Sequence, residues 1–142
     1  MSQEVTTARI EALLLDQGYR VSHEDAQTLI GTWNHVQVLF HTSDDWLSVY
    51  TLWDATEMPA LALASPHDCQ AALLFMCEQF NRQQPAPRAY PLVADGVVVK
   101  ADVVFSIRRG MSDEQLRPAL SFALTACVDA PARLAQCLPP II

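Results

Sequence analysis

Residues 80–105 read FNRQQPAPRAYPLVADGVVVKADVVF, and this stretch sets the fold. Phe80 is the last member of an apolar stripe, Cys69, Ala72, Leu73, Met76 and Phe80, whose spacing is that of one helix face. Asn81 and Arg82 begin a polar exit, and the helix is predicted to stop before Pro85, which cannot supply an interior amide. Tyr90 to Val93 and Val97 to Phe105 then flank Ala94-Asp95-Gly96, a hairpin signal because Gly96 tolerates positive φ and Asp95 favours such turns. In the second of these strands Val97, Val99, Ala101, Val103 and Phe105 form one apolar face. The opposite face, through Lys100, Asp102 and Ser106, is mixed, so one side is expected over a core and the other against water or a partner.

Upstream, the stripe begins at Ser65-Pro66-His67-Asp68, where Ser65 suits an N-cap, Pro66 the first turn and Asp68 the helix dipole. Before it, residues 46–53 read as a long strand with Leu47, Val49, Thr51 and Trp53 on one side. Thr42 to Asp45 supplies a turn, residues 36–41 another strand, and Asn34-His35 a second turn. Residues 28–33 and 19–21 are predicted strands separated by the polar segment HEDAQ. A first helix near residues 3–17 carries Ile10, Leu13, Leu14 and Leu15 and ends at Gly18. Downstream, Ser112 to Gln115 matches a capping box before a third helix bearing Leu116, Leu120, Leu124 and Cys127, which Pro131 is expected to kink or split. Short connections between successive strands favour an antiparallel meander.

A chain of 142 residues with 51% hydrophobic and 18% charged residues is long enough to bury one ordinary core, and no composition break divides it, so a single domain over 1–142 is expected. Its net charge of -7 and only nine Lys and Arg argue against a nucleic-acid partner. Acidic residues flank the short apolar run near the N-terminus, which fits neither a secretory signal nor a membrane span, and a cytoplasmic location is expected. Cys69, Cys77, Cys127 and Cys137 show no close pairing and are expected as reduced, buried thiols.

Catalytic chemistry is not recognisable. His67-Asp68-Cys69 holds the ingredients of a nucleophilic site, but consecutive helical residues point about 100° apart, so capping is the simpler role. His23, His35 and His41 lack metal-ligand spacing, glycine is too scarce for a phosphate loop, and no metal or cofactor is expected. Trp33, Phe40, Trp46, Tyr50 and Trp53 concentrate on strands, where core packing competes with a binding groove. Arg82 is expected to cap the second helix and Arg88 to pair with a strand carboxylate, with Asp95 in the turn and Asp102 on the mixed face.

EQFNRQQPAPRAYPLVADGVVVKADVVF followed by RRGMSDEQL resembles the YbjN family, whose members carry an aromatic-Asn-Arg helix end, a Pro-Arg-Ala-Tyr-like strand and a later Gly-hydroxyl-x-x-x-Leu helix start. Phe80 stands where the family often has Trp, which removes an indole donor. The resemblance implies an α+β fold like that of type III secretion chaperones: an antiparallel sheet with N-terminal, middle and C-terminal helices. Relatives are described as sensory-transduction regulators or chaperone-like proteins. The expectation is a noncatalytic protein-interaction or chaperone-like module, forming a homodimer and engaging a protein client or regulatory partner. Trp33, Tyr50, Trp53, Arg82, Arg88 and Asp102 are the candidate binding residues. A small-ligand-sensing regulator is the alternative, and an enzyme of unrecognised type the third.

Overall fold

The computed structural model describes residues 3–55, 65–92 and 98–137. The Asp95-Gly96 turn and the terminal Leu-Pro-Pro-Ile-Ile lie outside those residues. Helix α1 (Thr7–Asp16) starts where the Thr6 hydroxyl accepts from the Arg9 amide, and Gly18 follows it at φ 86, a left-handed conformation that a Cβ disfavours. Four strands come next: β1 (Ser22–Asp25), β2 (Thr28–Trp33), β3 (Val36–Thr42) and β4 (Trp46–Asp54). Asn34 and His35 both take positive φ, as a two-residue hairpin turn requires. The first strand differs from the expectation at residues 19–21. It is formed by the polar Ser-His-Glu-Asp segment, because Tyr19 and Val21 turn inward against the core instead of entering the ladder.

Helix α2 (Pro66–Gln83) is capped by the Ser65 hydroxyl, which accepts from the Asp68 amide at 3.2 Å. It leads to β5 (Arg88–Pro91) and β6 (Val98–Ser106), and helix α3 (Asp113–Gln136) closes the fold. Neither Pro118 nor Pro131 splits α3, which runs for 24 residues. The burial of Leu116, Leu120 and Ala123 on one side of the seam and Ala130 and Leu134 on the other holds the helix through both missing amides.

All six strands form one antiparallel sheet in the order β1-β2-β3-β4-β6-β5. The meander holds through β4 only. The chain then crosses over through α2 to the far edge, and β6 returns between β4 and β5, a split β-α-β unit. Strand alternation places Leu29, Phe40, Val49, Val103 and Ala101 on one face, under the three described helices.

Two clusters make the core. One gathers α1, β2 to β4 and the first half of α3 around Phe40; the other gathers α2, β5, β6 and the end of α3 around Phe80. Cys127 lies at their junction, its thiol donating to the Val49 carbonyl at 3.4 Å. Trp33 covers Gly31, whose hydrogen no Cβ could replace, since the indole would lie 2.5 Å away. Its ring also meets Tyr19 and Phe40 edge-on.

Candidate functional site

The same alternation sends the other half of each strand to a face that no described helix covers. One rung across it carries Ile30, Leu39, Tyr50, Asp102 and Arg88; the next carries Thr32, Gln37, Leu52, Lys100 and Tyr90. Trp46, Leu52 and Val104 are 52%, 49% and 49% exposed, an unusual share of water-facing apolar surface for residues in mid-sheet. The Lys100 ammonium sits 4.4 Å from the centre of the Tyr50 ring and 6.0 Å from that of Tyr90. That geometry is a cation over two aromatic faces.

Tyr90 Oη donates to Asp102 Oδ2 at 2.8 Å. Burial first, and then this acceptor and its charge, push the Tyr90 phenol up to about 12. Tyr50 is also raised, chiefly by partial burial and then by the negative charges of Asp25 and Glu24. Those carboxylates belong to β1, where the register slips between His23 and Asp25. Asp25 is held below the ordinary carboxylate range by the Gln27 amide and next by the Thr28 hydroxyl. Thr28 in turn hydrogen-bonds His41 Nδ1 at 2.8 Å. The face is therefore acidic along β1, apolar in the middle and mixed in charge toward β5, where Lys100 and Arg88 stand beside Asp54 and Asp102.

Neither edge of this sheet favours a further strand. On β5 the Ala89 amide donates to Asn81 Oδ1 at 2.8 Å, and Asn81 Nδ2 donates to the Ala89 carbonyl at 2.8 Å. One side-chain amide thus fills both outward bonding positions, and Pro91, two residues on, has no amide hydrogen to offer. The opposite edge, β1, is four residues long, bulged, exposed and acidic, all features that discourage strand addition.

The candidate residues divide between these surroundings. Tyr50, Asp102 and Arg88 occupy one rung of the open face, although the Arg88 guanidinium turns to the end of α2. Trp33 and Trp53 do not: both lie on the helix side, packed against the first and second core clusters respectively. Arg82 projects from α2 and pairs with Glu78 at 2.6 Å, one turn back, with both side chains largely exposed. The helix-end role expected of Arg82 falls to Arg88, whose Nη1 donates to the Asn81 carbonyl at 3.3 Å. Lys100, Tyr90, Leu52 and Val104 complete the face and were not singled out by sequence, although the mixed alternation of β6 marked two of them. Asn81 also went unassigned; its position between an aromatic residue and Arg82 at a helix exit was the available signal.

Other groups offer little reactivity. His23 reaches Glu11 of α1 at 2.7 Å on the helix side, across the sheet from Asp102, so these two share no cleft. His67 and Asp68 are exposed at the start of α2 while Cys69 is buried, so the three point apart. All four cysteines are buried thiols outside any disulfide; burial raises Cys127 to about 12 and Cys77 to about 11, values that disfavour the thiolate. Among the described residues no three His, Cys, Asp or Glu side chains group as metal ligands, and no helix is long and apolar enough to cross a membrane.

The family described as "YbjN: Putative bacterial sensory transduction regulator" matches residues 6–135. The chain belongs to the YbjN family. A solved structure titled "Crystal structure of YbjN, a putative transcription regulator from E. coli" is similar over 97% of this chain and 100% of that one, with a TM-score of 0.63 and 14% identity. An uncharacterized protein from Methanothermobacter thermautotrophicus is similar over 95% of this chain and 100% of its own, with a TM-score of 0.62 and 10% identity. At such identities the likeness is one of fold. It is the YbjN fold, here with three helices among the described residues on one side of a six-stranded antiparallel sheet. No curated protein matches this sequence.

Proposed function

We propose that this YbjN-family protein is a noncatalytic docking module that binds protein through the open face of its sheet. One observation carries the reading: Trp46, Leu52 and Val104 stay half exposed on a broad face, around a Tyr50–Lys100–Tyr90 stack, while Asn81 fills the β5 edge and β1 is short, bulged and acidic. Aromatic and aliphatic anchors ringed by charge are the composition of a protein-binding patch. A partner then packs side chains onto the face instead of adding a strand. The family's description as a regulator suits a protein whose output is binding. Buried thiols outside any disulfide suit a reducing compartment, and the proposed location is the cytoplasm.

The test compares Leu52→Glu/Val104→Glu with Leu74→Glu/Phe75→Glu, which alters exposed apolar residues of α2 instead. Both variants should melt within a few degrees of the wild type. Quantitative affinity capture from the native cell should lose the wild-type partners with the first variant and retain them with the second. Recovery of the same partners by Leu52→Glu/Val104→Glu would falsify the reading.

A further inference from the structure

We infer that the open face takes an amphipathic helix of another protein, one whose apolar stripe is bordered on both sides by Lys and Arg. This rests on the docking role proposed above and names the chemistry of its occupant. The apolar part of the face is a ridge along β4. Trp46, Tyr50 and Leu52 point outward from that strand, with Leu39 beside it on β3 and Val104 on β6. Trp46 and Leu52 are six residues apart, about 20 Å at about 3.4 Å per strand residue. A helix of about 14 residues has the same length. Asn81 on one edge, and the bulge and carboxylates of β1 on the other, disfavour strand addition, so the partner lies on the face and not beside it. A helix is the element that covers a sheet face in a layered fold, as α1 to α3 do on the other side.

Charge names the borders of that helix. Among the strand residues of the face, Asp25, Asp54 and Asp102, with Glu24 at the β1 bulge, carry carboxylates, while Lys100 and Arg88 are the cations. Both cations are engaged within the chain: the Lys100 ammonium lies over the Tyr50 ring, and Arg88 donates to the Asn81 carbonyl at the end of α2. Adding Arg20, which precedes β1, still leaves the carboxylates in excess. At the Trp46 end the loop charges cancel, Asp44 and Asp45 against Arg108 and Arg109, with Arg108 3.3 Å from Asp45. The excess of acid borders the ridge on both sides. Glu24 and Asp25 act from β1, near enough for their charge to raise the Tyr50 phenol. Asp102 stands on β6, and Lys100 falls between its rung and that of Asp54. A helix with its side chains is about 10–12 Å across, so one centred over β3 and β4 turns its margins toward β2 and β6. Long Lys and Arg stems at those margins reach Asp25 on one side and Asp102 on the other. A second copy of this chain, at a net charge of -7, would bring the same excess of acid, so the occupant is a different protein.

The experiment titrates the full chain into labelled peptides of about 14 residues and reads fluorescence anisotropy. One peptide has a Leu stripe with Lys at both margins, a second has Glu in place of Lys, and a third is the Lys peptide with a central Pro that prevents a helix. The Lys helix should bind on the order of tenfold more tightly than either control, and less tightly as salt rises. Glu24→Gln/Asp102→Asn should weaken it and Lys100→Met should tighten it, opposite changes that mere loss of fold cannot produce. Asp25 is left in place because it accepts from the Gln27 amide and holds the β1–β2 turn. Leu52→Ser/Val104→Ser should abolish binding. A Lys helix that binds no better than the Glu helix, or charge variants that bind it like the wild type, overturn the basic partner. Equal binding by the Pro peptide overturns the helix. Binding that Leu74→Glu/Phe75→Glu abolishes and Leu52→Ser/Val104→Ser spares overturns the assignment in favour of α2. If any of these occurs while the captured cellular partners still depend on Leu52 and Val104, the occupant named here is wrong and the docking role stands. If those partners are indifferent to Leu52 and Val104 as well, both fall.

Discussion

The two faces of the sheet are made by alternate residues of the same strands, yet they follow different rules. Under the helices, Val49, Val103 and Ala101 sit shoulder to shoulder with almost no exposure, and Thr51 reaches the Gln37 carbonyl with its hydroxyl. On the other side, Tyr50, Asp102 and Lys100 occupy the intervening positions and keep both charge and apolar surface in water. A core position is fixed by shape, because a lost methylene leaves a cavity that close-packed neighbours fill only in part. A position on the open face has no such neighbours. Its residue is free to be chosen for what it touches outside the chain, which is why large apolar groups there point to binding more strongly than those inside.

The contrast is most exposed to failure in stability measurements. Phe80→Ala empties the centre of the second cluster and should cost about 3–5 kcal/mol in denaturant unfolding, against about 0.5 kcal/mol or less for Leu52→Ala. Similar losses at the two sites would mean that the open face is structural after all. A middle-sized effect is expected where the sheet ends. Asn81→Ala leaves the Ala89 amide and carbonyl without their partner and should destabilise by about 1–3 kcal/mol. Asn81→Asp should be no better, since a carboxylate cannot donate to the carbonyl.

The smallest expected effect concerns Tyr90. Its phenol titrates from about 12 in the fold against 10.0 without the fold's influence, so the neutral form is the one the fold favours. Stability from this group is complete below pH 10 and is lost as pH rises toward 12. With the ring more than a third exposed, the loss should stay under about 1 kcal/mol, and Tyr90→Phe should flatten the alkaline limb of a pH-dependent melt. An unchanged limb would remove the Tyr90–Asp102 contact from the account of the open face.

Much of this arrangement was legible in the sequence. The helix starts at Ser65 and Ser112 are short-range chemistry, and both hydroxyls cap as expected. The apolar alternation of residues 99–105 likewise named the buried side of β6. What local pattern could not supply was the order of strands. Nothing near Pro91 records that β6 will return between β4 and β5, since that placement depends on α2 crossing the sheet. The aromatic residues failed for a related reason: Trp33, Tyr50 and Trp53 have similar propensities, and only the register with β3 and β6 separates the tryptophans inside from the tyrosine outside. Arg82 and Arg88 both departed from expectation: the chain between them folds back and brings Arg88 to the helix end, while Arg82 pairs with Glu78 of its own helix and no strand carboxylate takes Arg88.

Helix α3 carries a consequence for the order of events during synthesis. Its first half seals a cluster that α1 and β2 to β4 share with Val103 and Ile107, and its second half seals the cluster built by α2, β5 and β6. As the ribosome delivers the chain, every strand of the sheet therefore precedes the one helix that roofs both halves of it. Until Leu116 through Leu134 have emerged, α1 and α2 leave part of the helix-side face open to water. The nascent chain is then most open to mispairing and to holding chaperones, and folding finishes as a single late event instead of proceeding cluster by cluster.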